Sequence, residues 1–171
     1  MRLSKHLLSM VLGKRIKKKH FASGYTTHMF KAKDKRYLIG YTLDKDKIKW
    51  LKHTKAGEFK LLKTFTKHSV TIYKYKILKM KQLSTVEKVY LEKELLNLVR
   101  RMYNNGHNSH NVSIAVPHLL YFVTDDNFKL LLNNVLKVFK NDEPIGVDLH
   151  HAQFVIWDGK ITCIDPVYKE H

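Results

Sequence analysis

The sequence predicts an α+β fold in which a β-rich half, residues 1–83, precedes a helical half, residues 84–171, the two together making one compact domain. Three observations carry this. Between Lys17 and Met80 the apolar residues recur in short alternating runs separated by turn residues, the period of strands. After Ser84 they recur at helical spacing in two long stretches. Near the end, Asp158-Gly159 stands between two alternating apolar runs, the strongest short-range signal for a two-residue hairpin.

In order along the chain, Met1 to Arg15 is basic with a short apolar centre, which predicts an amphipathic helix, a secretory signal being the alternative. From Lys17 to Leu43, breaks at Gly24, at Lys33-Asp34-Lys35 and at Gly40 suggest three strands. Gly24 with Thr26 and Thr27 can cover a phosphate if backbone N–H groups approach an anion there; an ordinary turn has the same composition. Leu43 to Lys60 reads as a short lysine-rich helix around Ile48, Trp50 and Leu51. Two strands follow, from Phe59 and from Val70, with lysines to solvent and Tyr and Ile inward.

Ser84 with Glu87 three residues on forms a capping box, and Leu91, Leu95, Leu98 and Met102 mark the face of the helix that ends at Asn104-Asn105-Gly106. His107 and His110 form a loop pair that lacks a third metal ligand nearby. Val112 to Val123, apolar but interrupted by Pro117, predicts a buried connection. Thr124 or Asp125 then caps a helix with Phe128, Leu131, Leu132, Val135 and Phe139 on one face, stopping before Pro144. The natural boundary falls near Leu83.

The chain's 171 residues, 44% of them hydrophobic, are enough for one sizeable core. Thirty-two Lys and Arg against 15 Asp and Glu give a formal charge of +17, which favours an anionic partner: a nucleotide, a nucleic acid or an acidic protein. The single cysteine, Cys163, excludes an internal disulfide and fits a reducing, cytoplasmic setting. No apolar run approaches the roughly 18 residues of a membrane span, so no membrane partner is expected.

The chemistry concentrates between Ile145 and Val167. With a two-residue turn at Asp158-Gly159, Trp157 pairs with Lys160, and counting back along a strand from Ala152 sets Gln153 opposite Ile164 and Ala152 opposite Asp165. Gln153 and Asp165 then share one end of the ribbon, and Asp148 lies in the loop feeding that end. Two carboxylates and an amide oxygen are the donors that a hard cation such as Mg²⁺ takes.

The pattern Asp148-Leu-His150-x-x-Gln153-Phe-Val-Ile, then Asp-Gly, then Ile164-Asp165-Pro-Val, resembles the catalytic loop and metal-binding segment of kinase-like phosphotransferases. It is most similar to the early serine/threonine kinase domain of podovirus-type bacteriophages. The resemblance implies a minimal protein-kinase-like two-lobed fold, an antiparallel N-lobe sheet followed by a helical C-lobe with a catalytic-loop hairpin. It also implies ATP and Mg²⁺ as cofactors, a host protein as substrate or target, and the host cytoplasm as location. On that pattern Asp148 matches the catalytic aspartate, His150 a scaffold residue of the loop, and Gln153 and Asp165 the metal ligands. Gly24 falls in the glycine-rich loop, and Met80 to Leu83, with Met80 and Gln82, resembles the hinge that bonds an adenine ring.

Three departures weigh against fast turnover. Gln153 stands where the family has asparagine, Ile39 where it has the nucleotide-gripping lysine, and Lys45 to Lys55 lacks the glutamate that pairs with that lysine; a lysine from a neighbouring strand, such as Lys31 or Lys33, could reach in, and the sequence leaves open which one, if any, does. A pseudokinase role, sequestration of a host factor, and nucleic-acid binding through lysines interleaved with Tyr and Phe are the competing readings.

Overall fold

A computed structural model describes Val11 and residues 20–23, 26–32, 34–106, 109–142 and 145–169. The architecture is α+β, and the chain divides into two compact units, Met1–Met80 and Lys81–His171, three residues ahead of the expected boundary at Leu83. The expected N-terminal helix, apart from Val11, lies outside the described residues, as do Gly24, Lys33, His107 and Pro144.

Among the described residues, the first unit is built on a five-stranded antiparallel sheet. Its strands β1 (His20–Ser23), β2 (Thr27–Lys31), β3 (Tyr37–Thr42), β4 (Lys60–Lys67) and β5 (Val70–Leu78) lie in the order β1-β2-β3-β5-β4. Helix α1 (Lys45–Thr54) connects β3 to β4. Asp44 starts it by accepting from the N–H groups of Asp46 and Lys47 at 2.8 and 3.0 Å, and Lys55, in the left-handed region, ends it. The helix is shorter than the run Leu43 to Lys60 because Lys55 and Gly57 both take positive φ, turning the chain through a 3₁₀ segment, Ala56–Glu58.

Gly40 does not break a strand, as its composition suggested, but sits in the middle of β3 opposite Tyr75. A Cβ there would come within 2.1 Å of Tyr75 Cζ. The Tyr75 ring occupies the space a side chain would take, so this is a glycine of close approach. On the other face of the sheet Phe30, Tyr41 and Ile72 are buried with Val11, and Ile39, Phe65 and Val70 pack against them. Phe30 and Tyr41 meet edge to face at 5.9 Å.

In the second unit α2 (Thr85–Asn104) carries the full capping box. Ser84 N–H donates to Glu87 Oε2 at 2.7 Å while Ser84 Oγ accepts from Glu87 N–H. The Ser84 backbone N–H, and secondarily its side chain, hold the Glu87 carboxyl below its ordinary pKa. Leu91, Leu95 and Met102 are buried on the expected face. Val112 to Phe122 corrects the reading of an irregular connection: it is a helix, α3, with Pro117 inside. Val112, Ala115, Val116 and Leu119 are its buried positions, the i, i+3, i+4, i+7 series. Their burial outweighs the one backbone bond the proline cannot donate. Helix α4 (Asp126–Phe139) starts on Asp125, which accepts from Phe128 N–H at 2.9 Å, and buries Leu132, Val135 and Phe139.

Two short ribbons complete the unit. β7 (Phe154–Trp157) and β8 (Lys160–Cys163) form the expected hairpin with Trp157 opposite Lys160, and Asp158 and Gly159 both take the positive φ that such a turn requires. β6 (Ile145–Val147) pairs with β9 (Val167–Lys169), a ribbon the sequence reading did not contain. Phe154 and Cys163 pack with Leu83, Leu91 and Leu95, and reciprocal backbone bonds of 3.0 and 2.9 Å join Lys81 to Ile156. Among the described residues no helix is long and apolar enough to cross a membrane.

The Tyr41 hydroxyl is buried and meets no hydrogen-bond partner among the described residues, and burial pushes its pKa up to about 12. An unsatisfied buried hydroxyl costs about 1 kcal/mol or more, so Tyr41→Phe is expected to raise the melting temperature at pH 7. Because the folded state holds this proton more tightly than the unfolded chain, the native protein loses stability as pH rises from about 10 to about 12. The variant loses less over that window. Melting curves at pH 7 and pH 11 check both; a lower melting temperature for the variant at pH 7 contradicts the assignment.

Candidate functional site

The end of the β7–β8 hairpin is assembled by backbone bonds between segments on either side of it. Ile164 N–H donates to Gln153 O at 2.8 Å, continuing the ladder one pair beyond Phe154–Cys163. Asp148 N–H donates to Pro166 O, also at 2.8 Å, continuing the β6–β9 ladder beyond Val147–Val167. Each bond ties one arm of the loop to a residue next to Asp165. Leu149, between Asp148 and His150, packs against the core of the second unit. Asp148, Gln153 and Asp165 are all partly buried.

The segment before the hairpin differs from the expected strand beginning at Ala152: His151–Gln153 is a 3₁₀ turn and the strand starts at Phe154. The turn shortens the path from Asp148 and lets the Gln153 side chain reach back. Gln153 Nε2 donates to Asp148 Oδ2 at 2.6 Å. The extra methylene of glutamine relative to asparagine is thus taken up by a direct bond to the carboxylate it accompanies. His150 Nδ1 accepts from Ala152 N–H at 3.3 Å and caps the turn. Its observed role is structural.

Thr27 is buried opposite Thr42, and their hydroxyls bond to each other at 2.9 Å. Thr26 accepts from Leu43 N–H through its carbonyl. Met80 is buried and its Cε would lie 2.5 Å from a Cβ on Gly57. Gln82 is exposed beside Lys81, whose backbone N–H and C=O are both taken by Ile156.

Ile39 is half-buried in the apolar cluster under the sheet. Lys31 stands opposite Leu38 and therefore on the other face from Ile39. The lysine directly across from Ile39 is Lys76 on β5, and its Nζ lies 3.4 Å from the centroid of the Tyr37 ring. His110 Nε2 is 2.7 Å from the Tyr103 hydroxyl, an ordinary loop contact.

Sequence reasoning missed Glu92 and His151. His151 Nδ1 lies 2.6 Å from Glu92 Oε1, and the His150 ring stacks beside His151 with centroids 4.2 Å apart. The adjacent histidines were visible, but their acidic partner sits on another element with no spacing rule to announce it.

Compared with protein-family models, with curated proteins and with solved structures, the chain matches none.

The donor set at the hairpin end fits a hard divalent cation in kind: carboxylates at Asp148 and Asp165 and an amide at Gln153. The Asp148–Gln153 bond engages one carboxylate oxygen and leaves Oδ1 of Asp148 as the donor available to an ion.

His150→Ala removes the cap of the 151–153 turn. A cap contact is worth about 1 kcal/mol, which corresponds to roughly fivefold faster opening, so the Ala152 and Gln153 amides are expected to exchange about fivefold faster while the β4–β5 amides are unchanged. Unaltered exchange at Ala152 contradicts the structural role of His150.

Proposed function

We propose that the chain is a kinase-like protein that binds an ATP–Mg²⁺ complex at the hairpin end and acts on a host protein, with phosphoryl transfer slow. The supporting observation is the convergence of Asp148, Gln153 and the segment bearing Asp165 through three hydrogen bonds of 2.6 to 2.8 Å. In this reading Asp148 orients the acceptor hydroxyl, and Asp165 and Gln153 hold the cation that neutralises the phosphates. The element order agrees with the resemblance: five antiparallel strands with a helix between the third and fourth, then helices, loop and hairpin.

Slow transfer follows from what stands at the charge-bearing positions. Phosphoryl transfer relies on positioning and electrostatic stabilisation, and removing one such contact costs about a hundredfold in rate or more. Ile39 supplies no charge, α1 contains no glutamate, and the one carboxylate inside α1, Asp46, is buried at its first turn. An interaction role that depends on the nucleotide-bound form is consistent with such a site.

Titration calorimetry with ATP is expected to show binding that requires Mg²⁺ and that Asp148→Asn and Asp165→Asn each weaken at least tenfold. Incubation with labelled ATP and host lysate is expected to give incorporation at least a hundredfold below that of an ordinary protein kinase. Absence of Mg²⁺-dependent ATP binding by the native chain overturns the proposal. Rapid incorporation abolished by Asp148→Ala overturns the slow-transfer part alone.

One observation favours nucleic-acid binding as a second reading. Lys63 faces Lys74 and Lys60 faces Lys76 across the β4–β5 pair, and like charges directly opposite one another are unfavourable without a counter-ion. Burial, and secondarily Lys63, holds the Lys74 ammonium below its ordinary pKa. Lys63 and Lys74 also lie over the rings of Phe65 and Tyr41, at 4.9 and 5.5 Å. In this reading a single-stranded oligonucleotide binds with a steep salt dependence, and Lys63→Glu with Lys76→Glu lowers both affinity and salt slope. A filter-binding series at two salt concentrations checks it; affinity unchanged by the double substitution removes it.

A further inference from the structure

We propose that Glu92, His150 and His151 form a binding site for a divalent d-block cation of the zinc class, separate from the oxygen donors at the hairpin end. The three side chains come from two places in the second unit, Glu92 from the middle of α2 and the histidines from the start of the 151–153 turn. One ligating atom from each lies within 4.8 Å of the other two.

An ordinary histidine–glutamate ion pair accounts for part of this arrangement but leaves two features unexplained. His151 Nδ1 is shielded from solvent and makes no directed hydrogen bond, although Glu92 Oε1 is only 2.6 Å away. A buried nitrogen without a directed bond is costly, and a cation on its in-plane lone pair removes that cost. The second feature is His150. Its Nδ1 accepts from Ala152 N–H at 3.3 Å, so Nε2 carries the ring proton in the free chain, and a cation binds there by shifting that proton to Nδ1 in place of the Ala152 bond; the ring lies next to His151 rather than splayed from it. Adjacent residues in an extended chain point to opposite sides; the turn brings these two rings together.

The donor types select the metal. Imidazole nitrogen suits Zn²⁺, Cu²⁺ or Ni²⁺, whereas Mg²⁺ takes oxygen. Two nitrogens and one carboxylate oxygen leave a fourth tetrahedral position for water or an external ligand. With metal–ligand bonds of about 2.0 to 2.1 Å, donor atoms stand about 3.3 Å apart. The 2.6 Å contact therefore opens slightly and the widest separation closes by at most about 1.5 Å, within the reach of side-chain rotation for Glu92 and His150, which are exposed. Bound there, the cation pins α2 to the loop that carries Asp148.

The full-length chain, stripped with chelator, is titrated with ZnCl₂ in a calorimeter. One equivalent is expected to bind, with affinity lowered at least tenfold in each of His150→Ala, His151→Ala and Glu92→Gln and unaffected by excess Mg²⁺. Because the chain has 11 histidines and a variant can fail to fold, a second measurement uses the native protein. Histidine modification by diethylpyrocarbonate, read by mass spectrometry, is expected to fall at His150 and His151 on adding zinc and to stay constant at the other histidines. Absence of zinc binding by the native chain, affinity changed less than twofold by the double His150→Ala/His151→Ala variant, or equal modification of both histidines with and without zinc, each overturns the proposal.

Discussion

The two backbone bonds at the foot of the β7–β8 hairpin, Gln153 O to Ile164 N–H and Asp148 N–H to Pro166 O, determine what the second unit presents. Without them Asp148, Gln153 and Asp165 are three polar residues on three connecting segments. With them, two ladders that run into the same short stretch, β7–β8 from one side and β6–β9 from the other, bracket Asp165 between residues that are each hydrogen-bonded to an arm of the Asp148 loop. The register is set at the far end, where Asp158 and Gly159 take positive φ. A shift of one residue would turn every side chain of the ribbon to the opposite face.

The parts of the fold legible in the sequence are those governed by local rules. The Asp-Gly turn fixed the pairing of Trp157 with Lys160, the Ser84–Glu87 capping box marked the start of α2, and the pair Thr124-Asp125 marked the start of α4, with Asp125 the cap. What escaped depends on residues distant in sequence. Gly40 looks like a strand break until Tyr75 is known to lie across it. Val112 to Phe122 has helical periodicity, but Pro117 was given more weight than the burial of Val112, Ala115, Val116 and Leu119. Three-residue strands such as β6 and β9 are too short to show a period.

The candidate site divides in the same way. The count back from the turn placed Gln153 and Asp165 at one end of the ribbon, because strand pairing is arithmetic once the turn is known. It did not foresee that the glutamine amide bonds the Asp148 carboxylate, since that depends on the 3₁₀ turn at His151–Gln153 shortening the path. Nor did it foresee that Thr27 and Thr42 satisfy each other inside the sheet. Lys31 was offered as a substitute cation because it lies on a neighbouring strand, and the two-residue alternation of β2 and β3 places it on the other face from Ile39. The facing residue Lys76 belongs to a strand that sequence adjacency does not single out.

Cys163 gives the hairpin a built-in chemical clock. It is the only cysteine in the chain, reduced and buried, and it closes β8 opposite Phe154, two residues before Asp165. A thiol reagent added to the native protein therefore has one place to react, and it reacts only when that part of the core opens. The labelling rate reports the free energy of that local opening without unfolding the whole chain. Any ligand that tightens the hairpin end slows the clock by the same factor by which it suppresses opening.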